Sequence, residues 1–162
     1  MRDYPIQGSP TISRRLFRQA LENRDSPAAP LADEAYNICV AWGVNPAVAL
    51  AFFIHESNAG TKGAAVRTKN WGNLRRGPGQ LREAHTGVSG AFGVYASWLV
   101  SLNDFCKLLT GPLYAKQGLT TVSKVTPKYA PAADRNNPAV YAAVVNQMIS
   151  QWELLTKREG SV

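Results

Sequence analysis

The stretch from Trp42 to Leu74, WGVNPAVALAFFIHESNAGTKGAAVRTKNWGNL, constrains this chain more than any other. Asn45-Pro46 is a helix start, because Asn can cap and Pro suits the first helical turn. The eight residues from Ala47 to Ile54 are then apolar on every side. A helix that is hydrophobic all round has no face to give to water and is buried. His55, Glu56 and Ser57 follow without a break, and Asn58-Ala59-Gly60 turns the chain. Glu56 is therefore expected at the C-terminal end of a buried helix, where the chain leaves for solvent. Desolvation and the negative end of the helix dipole both raise the pKa of a carboxyl placed there. Such a group, protonated near neutral pH, can act as a general acid.

The rest of the chain reads as helices around this one. Thr11 or Ser13 can cap a short helix carrying Ile12, Leu16, Ala20 and Leu21 on one face. A turn-rich connector, Asp25 to Pro30, leads to a helix over Ala32 to Trp42 that Gly43 stops. From Gly60 to Gly93 glycines are dense and helical periodicity is lost, with strand-like pieces at Trp71 to Arg75 and Gly90 to Tyr95. Helix returns at Ser97 and ends at Gly111-Pro112. A short helix over Thr120 to Thr126 is expected to stop at Pro127. Asn137-Pro138 starts a terminal helix with Val140, Tyr141, Val144, Val145, Met148, Ile149 and Trp152 on its apolar face. The expected fold is mostly α within the α+β class: one domain over 1–162, with 1–30 as an N-terminal extension and first helix packed on it. A small irregular β-lobe over 60–95 forms one side of a cleft.

Several classes of chemistry find little support. His55-Glu56 opens like a zinc-protease helix, but residue 59 is Ala where a second His is needed. Ser89 lies in a Gly-x-Ser-Gly run that falls one residue short of a nucleophile elbow. There is no phosphate-binding loop, and no metal or cofactor is expected. Cys39 and Cys106 lie in apolar helical stretches, where buried free thiols are the simplest expectation. Asp104 and Asp134 are read as solvated, on a polar helix face and in a polar loop. That leaves Glu56, and Glu83 as the acid of the β-lobe, whose alternative is a solvated hairpin charge. The net charge of +7 favours an anionic partner. Lys62, Arg67, Lys69, Arg75, Arg76 and Arg82 concentrate it around Trp71. Nucleic acid, an anionic sugar polymer, or no partner at all would each suit such a face.

A resemblance narrows the choice. His55-Glu-Ser-Asn-Ala-Gly-Thr61 and Asn70-Trp-Gly-Asn-Leu74 are similar to paired elements of the endo-β-N-acetylglucosaminidase family of peptidoglycan hydrolases, glycoside hydrolase family 73. Phe92 to Ser97, then Ser101, Asp104 and Leu108-Leu109, resemble the family's strand-to-helix passage. Tyr129-Ala130 and Tyr141-Ala142 resemble its Tyr-Ala-x-Asp-x-x-Tyr-Ala segment, with a longer spacer here. The resemblance implies a lysozyme-like fold and cleavage of β-1,4 bonds in peptidoglycan. It places the general acid on Glu56, makes Glu83 the candidate second carboxylate, and sets Tyr129 beside the scissile bond. Asn70, Trp71, Asn73, Tyr95 and Arg75 become candidate groove residues. A lytic transglycosylase or muramidase on the same fold, and a non-catalytic wall-binding module, are the alternatives.

The expected partners are peptidoglycan glycan strands in an anionic bacterial cell wall, met by a monomer. Nucleic acid is disfavoured because no recognised motif accompanies the charge. Membrane insertion is not expected, since no run approaches a span. The N-terminus lacks a signal-peptide pattern. Action outside the cell or in the wall would then suit a phage lysin or one domain of a larger exported protein.

Overall fold

Helix α3, Pro46–Ser57, is the element against which the others are laid in the computed structural model, which describes residues 1–75 and 87–160. Every residue from Pro46 to Phe53 is buried, as an all-apolar helix requires. Asn45 caps it: its Oδ1 accepts from Ala47 N–H at 3.1 Å and from Thr11 N–H at 3.2 Å. Around it run α1 (Arg14–Glu22), α2 (Ala32–Trp42), α5 (Trp98–Leu109), α6 (Val122–Tyr129) and α7 (Pro138–Glu159). Helix α7 packs on α6 and α3, and α2 packs on α5 and α1. The boundaries follow capping chemistry. Ser13, Ser97 and Asn137 each accept a backbone N–H at a helix start, and left-handed Gly43 closes α2. Among the described residues no helix is long and apolar enough to cross a membrane.

The segment after α3 holds a short helix α4, Ala65–Thr68, and a two-stranded antiparallel hairpin, β1 (Gly87–Ser89) with β2 (Phe92–Val94). The fold is thus mostly α with a small β component, as the sequence pattern predicts. Trp71 to Arg75 is not a strand, however. Asn70 closes it into a turn, its Oδ1 accepting from Leu74 N–H and its Nδ2 donating to the Leu74 and Gly93 carbonyls. The segment meets the hairpin at its end, where Arg75 bridges to Phe92 and Leu74 O accepts from Gly93 N–H at 3.0 Å.

Two further expectations are corrected. Pro127 does not stop α6, because the helix absorbs one missing donor and closes its last turn by Ala130 N–H to Thr126 O at 2.9 Å. Val140 and Val144 do not join the α7 core face. They are exposed, and the seam is Tyr141, Ala142, Val145 and Ile149.

The aromatic heart of the core lies under the C-terminal half of α3. Phe53 stacks on Trp71 with centroids 3.9 Å apart and leans on Trp98 at 5.3 Å. Phe52 meets Phe105, Tyr129 and Tyr141. Gly60 turns the chain here at φ +82°, and a Cβ on it would lie 2.8 Å from Trp98. Only glycine meets both demands. The N-terminal residues are sewn in as well: Pro5 bridges to Thr121, Gln7 to Val44, and Tyr4 N–H donates to Asn146 Oδ1 at 3.1 Å. Cys39 and Cys106 are buried free thiols.

Candidate active site

Glu56 lies in the last turn of α3, two residues before the chain reverses at Asn58. Left-handed Asn58 caps α3 by returning its N–H to Ile54 and Phe53 carbonyls, and Ser57 Oγ accepts from Gly60 N–H at 2.8 Å. The reversal frees the last turn of α3 to face a cleft of about 190 Å³. One wall is Asn73, Leu74, Arg75 and Phe92; the other is Lys128 to Pro131 with Asp134 and Asn136. Leu108 and Tyr114 also line it.

Two side chains hold the Glu56 carboxyl. Tyr141 Oη donates to Oε1 at 2.7 Å, and Asn73 Nδ2 donates to Oε2 at 3.1 Å. Burial disfavours the charged form and raises the Glu56 pKa; the bonds from Tyr141 and Asn73 and the charge of Arg75 pull it down, but burial wins. Glu56 is thus an acid that keeps its proton above the ordinary carboxylic range while remaining open to the cleft. His55, next to it, is exposed and lies against the Tyr141 ring with centroids 4.0 Å apart. It shields the buried tyrosine, and partial burial lowers its own pKa.

The Asn70 to Leu74 turn connects the core to this acid. Asn73 reaches Glu56 because it sits in the left-handed region at φ +50°, which asparagine tolerates better than most residues. Gly72 lets the turn pass under Tyr129, where a Cβ would fall 2.3 Å from the tyrosine oxygen. The Tyr129 hydroxyl instead donates to the Gly72 carbonyl.

Of the groove residues expected from the sequence, Glu56, Asn73, Arg75 and Tyr129 come together in the cleft. Trp71, Asn70 and Tyr95 do not. Trp71 is fully buried, with its indole N–H on Ala49 O at 2.8 Å, so no ring face is left for a sugar. Asn70 is consumed by the turn it closes. Tyr95 is buried and donates to Asp104 Oδ2 at 2.9 Å. Asp104, expected to be solvated, is itself buried. Glu83, with Arg76, Arg82 and His85, lies outside the described residues. Among the described residues no group of three or more His, Cys, Asp or Glu could hold a metal.

Sequence reasoning assigned no role to Tyr141 or Asp134. Tyr141 carried a signal, since a hydroxyl on the buried face of a helix must find a partner. Asp134 carried none beyond its place in a polar loop. Replacing Tyr141 by Phe removes a bond that favours the carboxylate, so the Glu56 pKa should rise further. In a pH–activity profile the alkaline limb should move to higher pH, and a limb that moves down or stays would refute this role.

A half-buried carboxyl with a raised pKa, lining a cleft, is a group that can support general acid–base chemistry. The sequence model of the Glucosaminidase family, described as mannosyl-glycoprotein endo-β-N-acetylglucosaminidase, matches residues 32–154, and the chain belongs to this family. No curated protein and no solved structure matches it.

Proposed function

We propose that this protein is a peptidoglycan hydrolase that cuts β-1,4 bonds of the glycan strand as an endo-β-N-acetylglucosaminidase. The observation that carries the proposal is the Glu56 carboxyl, desolvated at the end of α3 and exposed to the cleft. Glu56 gives its proton to the glycosidic oxygen as the bond to the anomeric carbon breaks. Tyr141 and Asn73 fix the carboxyl and then stabilise the carboxylate that forms. Tyr129 supplies the wall beside the acid, its hydroxyl committed to Gly72. The second half of the reaction needs either a base that activates water on the opposite face or attack by the substrate's own acetamide. Glu83 is the candidate base. The net charge of +7 suits an anionic wall as the place of action.

Mass spectrometry of digested peptidoglycan tests this reading. Reducing N-acetylglucosamine ends are expected. Anhydro-muramic ends would make the protein a lytic transglycosylase, reducing N-acetylmuramic ends a muramidase. Retention on cell walls without release of any sugar end would reduce it to a binding module.

A further inference from the structure

Arg75 and Asp134 stand on opposite walls of the cleft that holds Glu56, and they are joined: Arg75 Nη1 lies 3.0 Å from Asp134 Oδ2. The bridge sets a carboxylate of the protein itself against Arg75 in the cleft lining. Both side chains are well exposed, at 46% and 38%. Ion pairs of that exposure hold weakly, so another carboxylate can take the place of Asp134 at little cost. Arg75 would stay in position when that happens. Its backbone is bridged to Phe92 and its guanidinium lies over the Phe92 ring, 5.8 Å from the centroid. Asp134 is equally fixed, on a tight turn closed by its N–H on Pro131 O at 3.0 Å. Among the described residues the other cation lining the cleft, Lys128, is engaged elsewhere, donating to Leu113 O and Gln117 Oε1.

We infer that Asp134 is a resident stand-in for a substrate carboxylate, and that Arg75 exchanges it for a carboxylate borne by the glycan strand. The exchange is a specificity device. An anionic strand replaces one Arg–carboxylate pair by another, with the guanidinium fork offering two parallel donors. A neutral strand offers Arg75 only uncharged acceptors and leaves the Arg75–Asp134 pair in place. The inference rests on the glycan-cleaving reading above for the kind of polymer, and on the ion pair for the rest.

The test measures binding by calorimetry on the full chain, with Asp134→Asn, Arg75→Gln and the double variant. The probes are neutral N-acetylglucosamine oligomers and two anionic fragments. One bears its carboxylate on the sugar lactyl group, the other only on attached peptide. The readout is the ratio of anionic to neutral Kd. Asp134→Asn removes the competitor, so the ratio should fall about three- to tenfold, the scale of one exposed ion pair. Arg75→Gln should raise it, and the double variant should match Arg75→Gln alone. The fragment that responds identifies which carboxylate is read. An unchanged ratio in Asp134→Asn, an equal fall in the double variant, or no binding of either anionic fragment overturns the inference. If the ratio behaves as expected but no sugar end is ever released, the hydrolase reading fails and the carboxylate exchange stands.

Discussion

Replacing Glu56 by Gln should lower glycan-cleaving activity by about two to four orders of magnitude, the usual scale of general acid catalysis. The amide keeps the shape of the carboxyl and can still accept from Tyr141, but it has no proton to transfer. The variant should remain folded, and its stability should show a signed pH dependence. Burial raises the Glu56 pKa, so the folded chain holds this proton more tightly than the unfolded chain does. The stabilisation from that preference is complete below the ordinary Glu pKa and is lost as pH rises through the raised value. Gln loses nothing over that window. The melting temperature of Glu56→Gln relative to the parent should therefore climb from acid to neutral pH. Wild-type activity in a folded Glu56→Gln protein would remove this acid from the chemistry, and a flat melting difference would show that its carboxyl is not desolvated.

The second large effect is structural. Phe53→Ala should destabilise the fold by about 3–5 kcal/mol, the cost of truncating a fully buried aromatic that its neighbours cannot collapse onto. Phe53 is wedged between Trp71 and Trp98, and Gly60 closes over its ring edge at 3.2 Å from a Cβ position. Rigid indoles on both sides cannot fill the void. Chemical denaturation measures the loss. A midpoint shift worth under about 1 kcal/mol would mean that the core relaxes around the gap.

How far the sequence announced these features depends on the range of the forces behind them. Asn45, Pro46, Gly43, Ser97 and Asn137 act on backbone groups within a few residues, and the helix ends they mark lie where local chemistry puts them. The burial of α3 was equally legible, because an all-apolar run has one stable environment. Trp71 and Tyr95 were read as groove aromatics, and nothing local contradicts that reading. Their burial depends on Ala49 and Asp104, which the chain brings to them only in the folded state. Tyr141 meets Glu56 across 85 positions of sequence, and Asp134 meets Arg75 across 59. Pairings of that span follow from helix packing, which no single segment encodes.

The way residues 1–31 are stitched in has a practical consequence for anyone shortening the protein. The family match begins at residue 32 and ends at 154, yet Tyr4, Ile6, Ile12, Phe17 and Leu21 are all in the core. Thr11 holds the Asn45 side chain that caps α3, and Ser13 N–H donates to Thr156 Oγ1 at 2.9 Å, beyond the other boundary. Cutting at the limits of the recognised homology would open a hydrophobic trench along α3 and unfasten the start of the helix whose far end carries Glu56. The packed core is wider than the segment that matches the family, so a chain trimmed to 32–154 is expected to melt at lower temperature than the full one.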